Sequence, residues 1–384
     1  MLVLKITKVK QWLILLTVGL FFVGCSKVTQ ATASNSQSIE STHSEAIHLI
    51  QRTGTFFEKG KMYGEKAKND IQGQLRIWEQ LCQDEIALSL DAVYAFINEK
   101  TGFLQAIQTY TPALLEEVKG IAAGAAVSEK HLLTLNLAEE IMILFSGGYE
   151  SCTNIGLATE TMNVLAYNLD LPDFLMQYRP VILKDETQFV YAFPGIIATG
   201  GMNRHFAVTT NSLSNLLMDT RGLPLPFMIR KLLTFDDETA AITFLKNTPL
   251  AAPQNIMIVG KNGVFDFECS AHQKIQYRNP KHPQVTYHTN HAIVNTDYNL
   301  AIERDTLVCK RFSYLDRLFD AATLPHSSLS EKILEEAINH TESTIRYDGN
   351  YFSYLATFPK HPDAVPILQI LVPKVSNEMQ QLTF

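Results

Sequence analysis

The chain is poor in charge for its length: only 18% of its 384 residues are Asp, Glu, Lys or Arg, against 46% hydrophobic. That balance excludes a fully solvated polymer and supplies a core for one large or two ordinary domains. A basic excess is missing as well. The formal net charge is −7, and no Lys/Arg cluster interleaved with aromatics follows residue 30. Nucleic acid is therefore not an expected partner. Cysteines are few, five in all. Beyond Cys25, the remaining Cys82, Cys152, Cys269 and Cys309 show no short paired spacing of the kind that marks a zinc site or a redox pair. No internal repeat is visible, and no metal or cofactor is implied.

What is present begins with a targeting signal. Lys5, Lys8 and Lys10 precede an apolar stretch from Trp12 to Val23 that is too short to span a bilayer comfortably. It ends in Phe22-Val23-Gly24-Cys25, which resembles a bacterial lipobox. Residues 1–25 are thus expected to be a lipoprotein signal peptide whose Cys25 becomes the lipidated, palmitate-bearing first residue of the mature chain. A plain secretory signal or a single anchoring helix are the alternatives. Residues 26–47, rich in Ser, Thr, Gln and Ala, read as a flexible tether. The body is expected outside the cytoplasm as a membrane-anchored lipoprotein, periplasmic or at the cell surface. Ser26 after the lipidated Cys favours the outer membrane if the source is Gram-negative. There Cys82, Cys269 and Cys309 could include one disulfide, but buried apolar thiols are the preferred reading.

From Thr53 to about Phe145 the pattern is helical. Amphipathic stretches fill Lys66 to Asn98, Pro112 opens a helix expected to end near Gly120 or Gly124, and Ser128 caps another. After Ser146-Gly147-Gly148 the character changes to short β-leaning runs, as at Gln188 to Phe193, His205 to Thr210 and Asn255 to Val259. Helical periodicity returns between Pro226 and Lys246, and strands run on to Thr289. Helices are expected from about Asp305 to Phe319 and near Leu329 to Asn339, and a last strand around Ile367 to Val372. The fold class expected is α+β.

The chemistry centres on Ser151-Cys152-Thr153-Asn154-Ile155-Gly156-Leu157 and Asn168-Leu169-Asp170. A thiol at the head of a strand, with a carboxylate across a hairpin, suggests a cysteine enzyme that cleaves amides. Asn211 and Asn290 each end a strand candidate and could donate to an oxyanion, although strand-end Asn also caps turns. His288 and His291 are spaced like a metal pair but lack an acidic or Cys partner nearby, and are read as structural. Cys152 with His288 or His291 and an Asn falls in the spacing window of papain-like proteases, but the β-leaning residues after Cys152 argue against that arrangement.

Several segments resemble the acyl-coenzyme A:6-aminopenicillanic acid acyltransferase family. They are Thr111-Pro112 to Gly124, Leu132 to Asn136, Cys152-Thr153, Asn168-Leu169-Asp170, Pro194-Gly195, Gly201-Met202-Asn203, Ala207 to Leu213 and His288 to His291. The resemblance implies an N-terminal nucleophile hydrolase related to the choloylglycine hydrolases, with a four-layer αββα sandwich. It also implies a precursor that cuts itself, here between Ser151 and Cys152. Residues 48–151 would form the helical pro-region or α-subunit, and 152–384 the catalytic β-subunit. Carried over by position, Cys152 is the nucleophile, Asp170 the neighbouring acid, Asn290 the oxyanion-side amide, Asn211 a further amide and Arg311 a late arginine. Two departures stand out. Tyr167 occupies the place where the family usually has Arg, and the bond to be cut is Ser-Cys rather than Gly-Cys. The expected activity is hydrolysis or acyl transfer on a non-peptide C–N amide of a small molecule through an acyl-enzyme. A lipid-amide or bile-salt-type hydrolase and a non-enzymatic surface lipoprotein are the alternatives.

Overall fold

The computed structural model describes residues 46–147, 152–171, 177–300, 309–321, 350–372 and 379–384. The expected signal peptide with Cys25, nearly all of the tether, Ser151 and the helix expected near Leu329 to Asn339 lie outside the described residues. A short strand, β1 (His48–Gln51), comes first. Seven helices follow: α1 (Phe56–Lys66), α2 (Lys68–Ile86), α3 (Leu90–Lys100), α4 (Phe103–Tyr110), α5 (Pro112–Ala125), α6 (Glu129–Asn136) and α7 (Ala138–Ser146). Their starts follow from capping chemistry. The Thr55 hydroxyl accepts from Glu58 N–H while the Glu58 carboxylate accepts from Thr55 N–H, a reciprocal box; Ser128 accepts from His131 N–H; Pro112 opens α5.

Glycines set how these helices pack. α5 runs through Gly120 and Gly124 to Ala125, because both residues lie against the backbone of α1. A Cβ on Gly120 would fall 2.1 Å from the Phe57 carbonyl oxygen, and one on Gly60 would fall 2.1 Å from that of Glu117. Gly60-x-x-x-Gly64 thus meets Gly120-x-x-x-Gly124 at backbone contact, which draws Glu117 fully into the core.

The remaining strands are β2 (Cys152–Ala158), β3 (Met162–Asp170), β4 (Val181–Lys184), β5 (Gln188–Ala192), β6 (Gly200–Asn203), β7 (Phe206–Ser212), β8 (Gln254–Gly260), β9 (Gly263–Cys269), β10 (Lys274–Tyr277), β11 (Val285–His288), β12 (Asn350–Pro359), β13 (Ile367–Leu371) and β14 (Gln380–Leu382). Helical periodicity between Pro226 and Lys246 resolves into two helices, α8 (Leu225–Leu232) and α9 (Glu238–Asn247), because Asp237 caps the second. α10 spans Lys310–Ala321.

The strands form an eight-stranded sheet, β1-β4-β5-β6-β7-β8-β9-β10, and a six-stranded sheet, β11-β2-β3-β12-β13-β14. Among the described strands only the β1–β4 pair is parallel. The mixed α+β class is as expected, but the first third is not purely helical, since β1 joins a sheet whose other strands all come after Cys152.

Apolar side chains gather in three clusters. One joins the helices, through residues such as Trp78, Ile121 and Leu133, to Val190, Val208 and Ile258 of the eight-stranded sheet. A second joins Tyr167, Phe352 and Tyr354 of the six-stranded sheet to Phe189, Tyr191 and Met257 of the other. The third packs Ile155, Val164 and Tyr287 against Leu315 and Phe319 of α10. Burying apolar area at about 25 cal/mol per Å² is the main stabilising term in each. Among the described residues, no helix is long and apolar enough to cross a membrane.

Candidate active site

Alternation along β2 turns Thr153, Ile155 and Leu157 toward α10 and leaves Cys152, Asn154 and Gly156 facing the other sheet. Cys152, the first residue of β2, pairs across the hairpin with Leu169 of β3, so Asp170 ends beside it. Both line a cavity of about 580 Å³ bounded by the ends of the sheets and by α2 and α7.

Two further residues converge on the head of β2. Cys152 N–H donates to Asn290 Oδ1 at 2.9 Å. Arg311 donates to the Cys152 carbonyl, to Thr153 Oγ1 at 2.7 Å and to Asn290 Oδ1 at 2.8 Å. The guanidinium reaches there because α10 docks on β11, with Tyr287 packed between Phe312 and Phe319 at ring separations of 5.2 and 5.3 Å. The structure therefore brings Cys152, Asp170, Asn290 and Arg311 together.

Asn211 is placed differently. Its Nδ2 donates to the carbonyls of His288 and Thr289, at 2.9 and 3.3 Å, so both of its hydrogens are engaged in holding the turn that carries Asn290. Asn290 spends one Nδ2 hydrogen on the Ser212 carbonyl at 3.1 Å and keeps the other.

Burial pushes the Cys152 thiol up to about 12; the Tyr167 hydroxyl and the Arg311 charge pull against it, and the Asp170 and Glu139 charges add to it. At neutral pH Cys152 thus rests as a neutral thiol, and any reaction that used its sulfur as a thiolate would need a base. Tyr167 donates its one hydroxyl hydrogen to the Thr210 carbonyl at 3.0 Å, joining β3 to β7.

The turn after β11 has its own anchor, which motif reading did not identify. The buried Glu268 carboxylate takes the His288 Nε2 proton at 2.8 Å and backbone N–H groups of Ile293, Val294 and Asn295. Burial alone would raise Glu268, yet His288 and these donors hold it below the ordinary carboxylate range. Burial opposes the charge on His288 too, and Glu268 outweighs it, keeping the imidazole above its ordinary value. His291 is driven down to about 4, by burial first and then by the charge on His288. One His is therefore an ion-pair partner and its neighbour a neutral ring. Among the described residues, no three His, Cys, Asp or Glu side chains gather in a way that could hold a metal ion.

Beneath the thiol, a second polar network crosses the sheets. Asn154 Nδ2 donates to Thr209 Oγ1 at 3.2 Å and to Asn255 Oδ1 at 2.9 Å. Asn255 in turn donates to Asp266, which also accepts from Thr286 Oγ1 at 2.7 Å. Cys82, Cys269 and Cys309 are free, and burial raises Cys82 and Cys269 to about 12, as suits inert core thiols.

The family model for acyl-coenzyme A:6-aminopenicillanic acid acyl-transferase matches residues 158–369, more than half of the chain. Asp170, Asn211, Asn290 and Arg311 fall inside the matched span, and Cys152 lies just ahead of it. No curated protein matches the chain.

Proposed function

Because the chain belongs to the acyl-coenzyme A:6-aminopenicillanic acid acyl-transferase family, a group of acyltransferases and hydrolases of the N-terminal nucleophile type, we propose that it is a self-processed cysteine amidohydrolase or acyltransferase. The stacking of helices, two sheets and α10 is then the four-layer αββα sandwich of that group. The observation that carries the proposal is the 2.9 Å contact between Cys152 N–H and Asn290 Oδ1 at the edge of the cavity. The nitrogen held by Asn290 is the one that cleavage before Cys152 would free.

In the first step Cys152 Sγ attacks the Ser151 carbonyl carbon, the C–N bond breaks, and the nitrogen takes the thiol proton to become an α-amine. Water then opens the thioester and restores the thiol. An α-amine ordinarily titrates at about 7.7 to 8.0, so at neutral pH a substantial share of it can accept a proton. In turnover this amine takes the thiol proton, sulfur attacks the substrate amide, and the amine returns the proton to the leaving nitrogen. Water or an acceptor amine next removes the acyl group. The tetrahedral oxygen is received by the spare Nδ2 hydrogen of Asn290; one such donor is worth roughly 3 to 4 kcal/mol. Asp170 orients the new amine, Arg311 fixes the strand head, and Asn211 and Glu268 hold the turn under Asn290.

The proposal extends to location: the enzyme is exported and held at a membrane by a lipid on Cys25, with residues 26–47 as its tether. Among substrates, the apolar side chains of Trp78, Leu81, Met142 and Phe193 along the cavity favour a hydrocarbon acyl group, as in lipid amides. The test is acid-quenched intact mass after brief exposure to octanoyl p-nitroanilide. An octanoyl adduct on the fragment that begins at Cys152, absent from Cys152→Ala, is expected. No adduct, or the same adduct in the variant, would refute the proposal.

A further inference from the structure

Gln74 lies on the face of α2 that lines the cavity, together with Trp78 and Leu81. It is wholly buried, and neither its Nε2 nor its Oε1 has a hydrogen-bond partner among the described residues. A buried polar group left unmet costs stability, and a side chain such as Met would fill the same space without that cost. Some neighbouring polar groups are provided for, although the Ser212 hydroxyl is not. Asn136 donates to the Leu132 and Gly195 carbonyls and accepts from Ile197 N–H, and Trp78 Nε1 donates to Thr134. The unmet amide of Gln74 stands out against them, and it faces the space a substrate must enter.

Charge around the same space is one-sided. Glu139 and Asp170 line the cavity, and among its described lining residues there is no Lys, Arg or His. A carboxylate on the substrate would meet the Glu139 and Asp170 carboxylates, and the one cation within that wall would be the α-amine that the proposed cut frees on Cys152.

We propose that Gln74 is a specificity-determining residue: the cavity takes an uncharged amide whose apolar acyl chain bears one hydrogen-bonding group, hydroxyl or carbonyl, that Gln74 completes, and it turns away substrates carrying a carboxylate. This rests on the reading of Cys152 as the nucleophile. The reactive carbonyl lies at Cys152, and the acyl chain runs along the Trp78 and Leu81 wall to Gln74.

The test compares the processed enzyme with Gln74→Met and Gln74→Leu on a panel of octanoyl p-nitroanilides. The acyl chains are plain, hydroxylated beside the carbonyl, hydroxylated in mid-chain, hydroxylated at the tip, or tipped with a carboxylate. One hydroxylated isomer should exceed the plain chain in kcat/KM by about tenfold or more, because the site then pairs a buried amide. Both variants should erase that preference and melt at a higher temperature than the parent. The carboxylate-tipped chain should be at least about tenfold poorer than the plain one throughout. Equal losses on every substrate, or variants that both melt lower, would make Gln74 a structural residue and overturn the proposal; so would equal turnover of the carboxylate. An adduct on Cys152 with unchanged preferences sinks this inference alone, whereas no adduct with any member of the panel removes the catalytic reading beneath it.

Discussion

Glu117 and Glu140 are both wholly buried carboxylates on helices, yet their surroundings are opposite. Glu117 on α5 receives Arg230 through two contacts, at 2.7 and 2.8 Å, and Arg52 on its other side. Arg52 in turn lies 3.6 Å from Asp185, which Lys59 also reaches at 3.2 Å. Glu140 on α7 accepts from Leu225 N–H at 2.8 Å, and its Oε2 has no hydrogen-bond partner among the described residues. Burial would raise both. The two guanidiniums overcome it and hold Glu117 below the ordinary range, whereas Glu140 is left at about 8.

The difference separates two uses of buried polarity. Around Glu117, charges from before Cys152 (Arg52, Lys59 and Glu117) are matched with charges from after it (Asp185 and Arg230), so the network braces two stretches that a cut before Cys152 would disconnect. Around the cavity, which Leu225 helps to line, polar groups such as Gln74 and the Ser212 hydroxyl are left without protein partners. The charge network joins residues from both sides of Cys152 although Arg52 Nε and Arg230 Nε have no hydrogen-bond partner among the described residues, and unmet polar groups such as Gln74 and Ser212 line the cavity as well.

Breaking the brace has the largest expected effect. Glu117→Gln removes the anion between two buried guanidiniums and should cost about 3 to 5 kcal/mol in urea unfolding. A cost under about 1 kcal/mol would show that the network is not a brace. The two site amides sharpen the other side of the comparison. Asn290→Ala should lower kcat by about 10² to 10³, since a donor at the developing charge is lost, in addition to a loss of stability from the unmet Cys152 N–H, Arg311 and Ser212 groups. Asn211→Ala should show the reverse weighting, with a marked loss of stability from two unmet carbonyls and a smaller loss of rate. Equal profiles for the two variants would erase the distinction between them.

The last effect is one of slope. Glu140 in the folded chain titrates at about 8 against an ordinary 4.5. Through that window the folded state keeps a proton that the unfolded state releases, so stability falls as pH rises and levels off above it. The contribution is at most about 1.4 kcal/mol per pH unit. Glu140→Gln should flatten the pH dependence of unfolding between those values, and an unchanged slope would mean that Glu140 is not the titrating group.

Much of this was legible in the sequence. β-branched and aromatic runs marked β5, β7 and β8, Pro112 and Ser128 marked helix starts, and spacing with family resemblance marked Cys152, Asp170, Asn290 and Arg311. What was hidden depends on distance along the chain. β1 is four residues long and has meaning only beside β4. Nothing local ties Glu117 to Arg52 and Arg230, or Glu268 to His288. Gln74 reads as an ordinary polar position on an amphipathic helix, and only the walls supplied by α6, α7 and the sheets make it a buried one. Asn211 and Asn290 look equivalent at their strand ends; the count of hydrogens each has left over distinguishes them.

The most direct test of the central claim is the intact mass of the purified chain beside that of Cys152→Ala. Two fragments from the parent, separating between Ser151 and Cys152, and a single uncut chain from the variant are the predicted result. A parent that stays whole yet turns over amides, or a variant that is cut at the same bond, would contradict the claim that Cys152 acquires its base by freeing its own nitrogen.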